Sequence, residues 1–144
     1  MVTHDNQHIT TDEDDTRTND GKCDPWGRLW FGTMTNTDPL APDTSKRRLW
    51  SLFRLDGTGG ETVLDDVSLS NGLAWNADLG VMYYIDSLAM TVDAFDCDAE
   101  SGKISNRRSV FNIADAGVPG FLDGMTIDTR FVHFMRGKVP VIYD

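Results

Sequence analysis

An Asx-Gly dipeptide returns three times in this chain, at Asp20-Gly21, Asn71-Gly72 and Asp123-Gly124, so that the glycines fall 51 and then 52 residues apart. The start of an apolar strand follows each one. A second pair of anchors lies inside the first two units. Phe53-x-Leu-Asp56 and Phe95-x-Cys-Asp98 stand 42 residues apart, each before a Gly-containing turn. Short strands recurring at about 50 residues are the pattern of a β-propeller, whose blades are four-stranded antiparallel sheets. Chance recurrence of common turn dipeptides is the competing explanation.

Between the anchors the chain alternates short apolar runs with turn signals. Residues 29–34, 48–56, 61–67, 80–86, 91–98 and 107–113 are the predicted strands, and DPWG, DGTGG, NADLG and DAESGK separate them. No window longer than about 11 residues keeps a helical period, so the expected class is all-β. Residues 1–15 read as a polar, acidic leader, 16–128 as the blades, and 129–144 as a strand-like tail of different character.

Composition narrows the functions. Seven Phe, four Trp and three Tyr in 144 residues furnish the core of one ordinary domain. A formal net charge of −10 argues against nucleic acid or a polybasic membrane patch as partner. There is no apolar run of roughly 18 residues to span a membrane. The N-terminal residues lack the basic start and apolar stretch of a secretory signal. Cys23 and Cys97 lie far apart without zinc-site spacing, so a reduced, cytoplasmic protein is expected.

Familiar motifs fail. GTGGET (57–62) lacks the lysine of a phosphate-binding loop and reads as a hairpin turn. Ser70 beside Asn71 has no G-x-S-x-G around it, and an EF-hand match at Gly21 ends on Gly27 instead of glutamate. His133 sits among Phe131, Val132 and Phe134, a packing or surface setting. The repeat offers more. Inner strands of a propeller ring a central channel, so Asp20, Asn71 and Asp123 are placed to converge at one mouth as oxygen ligands of a hard divalent cation. An Asx side chain bonding its own backbone in a turn accounts for the spacing equally well. Arg17 offers a planar fork for an anionic or hydroxyl-rich ligand, with a salt bridge to the acidic run at 12–15 as the alternative.

Residues 16–34, TRTNDGKCDPWGRLWFGTM, resemble the RxNDGKxDPxGRxxxGTM segment of the regucalcin (senescence marker protein) and gluconolactonase family. LWSLFRLD, VSLSNGLAWNADLGVMYYIDS, VDAFDCDAESGKISNRRSVF and DGMTID continue the likeness in family order over about residues 12–128. The resemblance implies a six-bladed β-propeller, of which this chain holds about three blades. It further implies a metal-dependent hydrolase of sugar lactones, with calcium or zinc, or else magnesium or manganese, in the site. A non-catalytic calcium-binding regulatory protein on the same blades is the alternative it allows. Carried over residue by residue, Asn71 and Asp123 match two metal ligands, Arg17 and Asn19 match the substrate-binding pair, and Asp123 also matches the general base. Asp20 is not among the carried residues.

The departures set further expectations. The family's third ligand, a glutamate in a Gly-Glu-x-Pro setting, has no counterpart. A substrate-contacting acid falls near Thr37, and Leu122 stands where proline is common. The likeness stops after Asp128. Three blades leave two sheet faces open, and two protein ligands hold a divalent ion weakly. Little or no lactonase activity is therefore expected of the chain by itself.

Overall fold

The computed structural model describes residues 16–36, 50–128, 132–136 and 139–142, the last two segments as backbone. Among the described residues there are strands and no helix. They are β1 (Thr16–Cys23), β2 (Leu29–Thr35), β3 (Trp50–Asp56), β4 (Gly59–Val67), β5 (Ser70–Asn76), β6 (Val81–Asp86), β7 (Thr91–Cys97), β8 (Ile104–Asn112), β9 (Leu122–Ile127), β10 (Val132–Arg136) and β11 (Val139–Ile142). Three antiparallel meanders result: β1-β2-β3-β4, β5-β6-β7-β8 and β9-β10-β11. These are the first, second and third blades of a partial β-propeller.

Side-chain alternation explains why the blades stack. Successive residues of a strand point to opposite faces. In the second blade Met82, Tyr84, Phe95 and Cys97 face the first blade and bury against Trp30, Trp50 and Leu52. Ile85 and Val92, of opposite parity, face the third blade and bury with Ile113 and Leu122. The first three strands of the second blade are therefore covered on both faces and buried along most of their length, whereas β8 is mostly exposed. Trp30 and Trp75 meet across the first interface with ring centroids 5.6 Å apart and planes tilted by 55°. Each large side chain withdrawn from water here contributes about 1.5–3 kcal/mol before entropy is counted.

The equivalence of Phe53 and Phe95 holds: they occupy the third strands of the first two blades, β3 and β7. Asp56 and Asp98 each cap the turn that follows, two residues long after β3 and six after β7. Asp56 Oδ1 accepts from Thr58 N (2.8 Å), and Asp98 Oδ1 accepts from Ser101 N (2.7 Å). The 42-residue offset is shorter than the period because residues 36–49 join β2 to β3, whereas residues 87–90 join β6 to β7.

The Asx-Gly anchors need a correction. None is a turn; all three lie inside the innermost strands, outside the predicted apolar runs. Each marks a β-bulge. Asn19 and Asp20 oppose Gly32 between the pairs Thr18↔Thr33 and Gly21↔Phe31. Asn71 and Gly72 oppose Ile85 between Ser70↔Asp86 and Leu73↔Tyr84. Asp123 and Gly124 oppose Met135 between Leu122↔Arg136 and Met125↔Phe134. The residue equivalent to Asn71 and Asp123 is thus Asn19, not Asp20, and the interval between bulges is 52 residues both times. Gly72 is required by contact: a Cβ there would lie 2.6 Å from Met125 N and 2.9 Å from Asp123 O, since β5 presses on β9.

At the opposite end of the sheets the first two blades are latched. Asp24 Oδ1 accepts from Trp26 N (2.9 Å) and Arg28 N (3.0 Å), and its Oδ2 accepts from Arg28 Nε (2.7 Å) and Trp30 Nε1 (2.9 Å). Burial alone raises this carboxyl. The donors of Arg28 and Trp30, with the Arg28 charge, outweigh burial and hold it below its ordinary value. Arg28 then reaches the second blade, donating to Ala99 O (3.0 Å) and Glu100 O (3.2 Å), while Arg54 donates to Ser101 O (2.7 Å).

Candidate functional site

Each bulge carries one polar side chain on an inner strand, and bulges are common beside functional sites. Asn19 is delivered by β1, Asn71 by β5 and Asp123 by β9. Asn19 Nδ2 donates to Ser70 O (2.7 Å) and to Asn71 Oδ1 (3.2 Å), crossing from the first blade to the second. Asn71 is buried, and its Nδ2 donates to Ser87 Oγ (2.7 Å). Ser87 in turn donates to Leu122 O (2.5 Å), the carbonyl just before Asp123 on the third blade. One relay of neutral groups therefore ties the three inner strands together.

The loop feeding this relay is held by a buried acid. Asp86 Oδ2 accepts from Ser68 N (2.9 Å) and its Oδ1 from Leu69 N (3.0 Å), which fixes the crossover that delivers Ser70 and Asn71. The neighbouring Tyr84 hydroxyl is buried and pushed well above its ordinary value by that burial, so it stays protonated.

The other expected residues fall as follows. Arg17 is exposed, and its Nη1 donates only to the adjoining Thr18 O (3.2 Å) among the described residues. Asp123 is exposed and accepts no hydrogen bond among the described residues. Asp20 Oδ1 accepts from its neighbour Gly21 N (2.8 Å), so the self-bonding reading holds for Asp20. It fails for Asn71, whose side chain bonds to Asn19 of the first blade and to Ser87 rather than to its own backbone. The acidic run at 12–15 and Thr37 lie outside the described residues. An open depression lined by Thr18, Asn19, Asp20, Gly21, Leu29 and Phe31 adjoins Asn19 on the first blade.

The donor chemistry can be set against a divalent cation. Asn71 Oδ1 and the Asp123 carboxylate are hard oxygen donors, the type calcium and magnesium take. Calcium takes about six to eight oxygens, however. Among the described residues no group of three or more His, Cys, Asp or Glu side chains converges. The donor type fits; the donor number does not fill the shell.

Ser87 is the site residue that motif reading passed over. Its only signal is local: a small polar residue directly after the apolar run VMYYID, where a strand leaves the sheet.

Residues 2–132 match the family model described as SMP-30/Gluconolactonase/LRE-like region. The chain belongs to this family. Regucalcin of Sus scrofa is 45% identical over 124 residues, covering 85% of this chain and 40% of that protein. The chain thus spans about 40% of the length of the curated relatives it matches. Among solved structures, a luciferin-regenerating enzyme superposes with a TM-score of 0.73 at 36% identity, over 90% of this chain and 46% of the other. The calcium-binding protein regucalcin from Agrobacterium tumefaciens superposes with a TM-score of 0.71 at 22% identity, over 85% of this chain and 39% of the other, a likeness of fold. No helix among the described residues is long and apolar enough to cross a membrane.

Proposed function

We propose that this chain carries part of a sugar-lactone hydrolase site of gluconolactonase type. In this reading Asn71 and Asp123 are ligands of a divalent cation, calcium first, and Asp123 is also the general base. Arg17 and Asn19 are the substrate contacts. The observation that supports it best is the Asn19–Asn71 hydrogen bond across the blade boundary, made by two residues at equivalent bulges. It supports the reading by bringing together one residue proposed for the substrate and one proposed for the cation.

A bound divalent cation supplies Lewis-acid polarisation of a carbonyl. The chain's own groups supply the rest. Asn19 spends its N–H donors inward and keeps Oδ1 for a sugar hydroxyl. Arg17 extends an exposed fork toward ring or carboxylate oxygens. Asp123 takes the proton of an attacking water through the carboxylate oxygen that a cation leaves free, since it accepts no side-chain hydrogen bond among the described residues. Two protein ligands hold the cation weakly, so turnover far below that of a full-length family member is expected.

A second reading, calcium binding without chemistry, is favoured by the all-oxygen donor pair. Gluconolactone hydrolysis and calcium titration on the purified chain separate the two. Slow, calcium-dependent hydrolysis that Asp123→Ala abolishes supports the lactonase. Calcium binding lost in Asp123→Ala, with no turnover in the parent chain, supports the binding protein. A chain that neither binds calcium nor turns over lactone overturns both.

A further inference from the structure

The hydrogen-bond relay has a direction, and one hydroxyl sets it. Ser87 Oγ and Leu122 O are 2.5 Å apart, a distance two oxygens reach only with a hydrogen between them. A carbonyl carries none, so the hydrogen is the single one of Ser87. Ser87 Oγ is left as an acceptor and must face the N–H side of Asn71, at 2.7 Å. Asn71 therefore turns Oδ1 toward Asn19. That oxygen in turn requires a donor from Asn19, which supplies Nδ2 at 3.2 Å and sends its other N–H to Ser70 O at 2.7 Å. Asn19 has no donor left, and its Oδ1 is the group it presents to a ligand. The bonds from Asn19 to Asn71, Asn71 to Ser87 and Ser87 to Leu122 O all donate in one direction, ending on a backbone carbonyl that no side-chain substitution removes.

We infer that Ser87, which is 1% exposed, is the positioning residue that sets the polarity of the site. Through Asn71 it keeps an amide oxygen toward the cation position. Through Asn19 it makes the substrate contact an acceptor, selective for a ligand hydroxyl over an ether or carbonyl oxygen. The polarity stands on geometry alone; its meaning for cation and sugar rests on the proposed function above.

Side-chain amide NMR of the whole chain reads the polarity without cation or substrate. Ser87→Ala is expected to speed hydrogen exchange at the Asn71 side-chain amide at least about tenfold, as loss of a buried partner allows. It should also raise the calcium concentration for half-saturation by about tenfold, the scale for losing a support behind a ligand. Ser87→Thr keeps a hydroxyl and should restore both. Asn71 exchange within twofold of the parent in Ser87→Ala overturns the inference, whatever the melting temperature does. If Ser87→Ala does not fold, Ser87→Cys decides, because sulfur is a weaker acceptor: intermediate exchange supports the inference, and parental exchange overturns it. If the parent chain binds no calcium, the cation reading fails while amide exchange still decides the role of Ser87.

Discussion

Two ends of the same pair of blades join them in opposite chemical styles. At one end Asp24, Arg28, Trp30 and Arg54 form a charged, buried latch onto the turn at 99–101. At the other, Asn19, Asn71 and Ser87 form a neutral relay. In the latch, Asp24 spends both oxygens on four donors, and the Arg28 and Arg54 guanidinium groups lie over Trp26 and Trp30 at 5.1 and 5.9 Å. Both Asp24 oxygens are thereby engaged within the protein. Among the described residues the relay end keeps unspent groups: the Asp123 carboxylate, most of the Arg17 fork, and an amide oxygen on Asn19. Fully satisfied buried charge marks a structural joint, and partly satisfied polar groups at a mouth mark a site.

The largest test of this contrast is Asp24→Ala. It strands Arg28 and the Trp30 indole in a buried position and should lower stability by about 3–5 kcal/mol. Urea unfolding measures it, and a loss below about 1 kcal/mol would show that this end is no latch. Gly102→Ala comes next. Gly102 has φ +69°, and an added Cβ would meet Arg54 Nη1 and lie 2.7 Å from Arg28 Nη1. Backbone strain and displaced guanidinium groups together should cost about 2 kcal/mol.

Acid gives a gentler probe. The folded Asp24 carboxyl lies below its unfolded value, so its contribution is complete above about pH 4 and fades as pH falls through the folded value. The parent chain should lose stability more steeply below about pH 4 than Asp24→Asn does; parallel curves would remove Asp24 from the latch. The smallest expected change in stability belongs to Asp123→Ala at the site end. An exposed carboxylate with no partner among the described residues should shift unfolding by no more than about 0.5 kcal/mol, yet calcium binding should be lost. A large destabilisation would blur the distinction between joint and site.

How much of this is legible beforehand depends on reach along the chain. The blades are visible because β2, β3, β6 and β7 are apolar runs closed by local turns. The inner strands are less visible. β1 is mostly exposed and polar, TRTNDGKC, so no alternation announces it, while β5 is buried almost throughout. The glycine spacing was off by one at the first unit, because Gly21 follows its bulge whereas Gly72 and Gly124 sit within theirs. The family resemblance nevertheless selects Asn19 over Asp20, and the bulge register supplies the physical reason. The latch and Ser87 were not legible. Arg28 meets a carbonyl 72 residues away and Ser87 one 35 residues away, distances over which a single sequence carries no pattern.

The meander order of the sheets also concentrates the difficulty of folding. Each ladder joins strands that follow one another, so it closes a short stretch of chain at small entropic expense. Bonds that register one blade against the next, such as Asn19 to Asn71 across 52 residues, close much longer loops. The blades are local objects and their alignment is not, so the search for the native state lies in docking preformed meanders. The mouth of the propeller exists only once that docking is done, and its chemistry is among the last features the chain acquires.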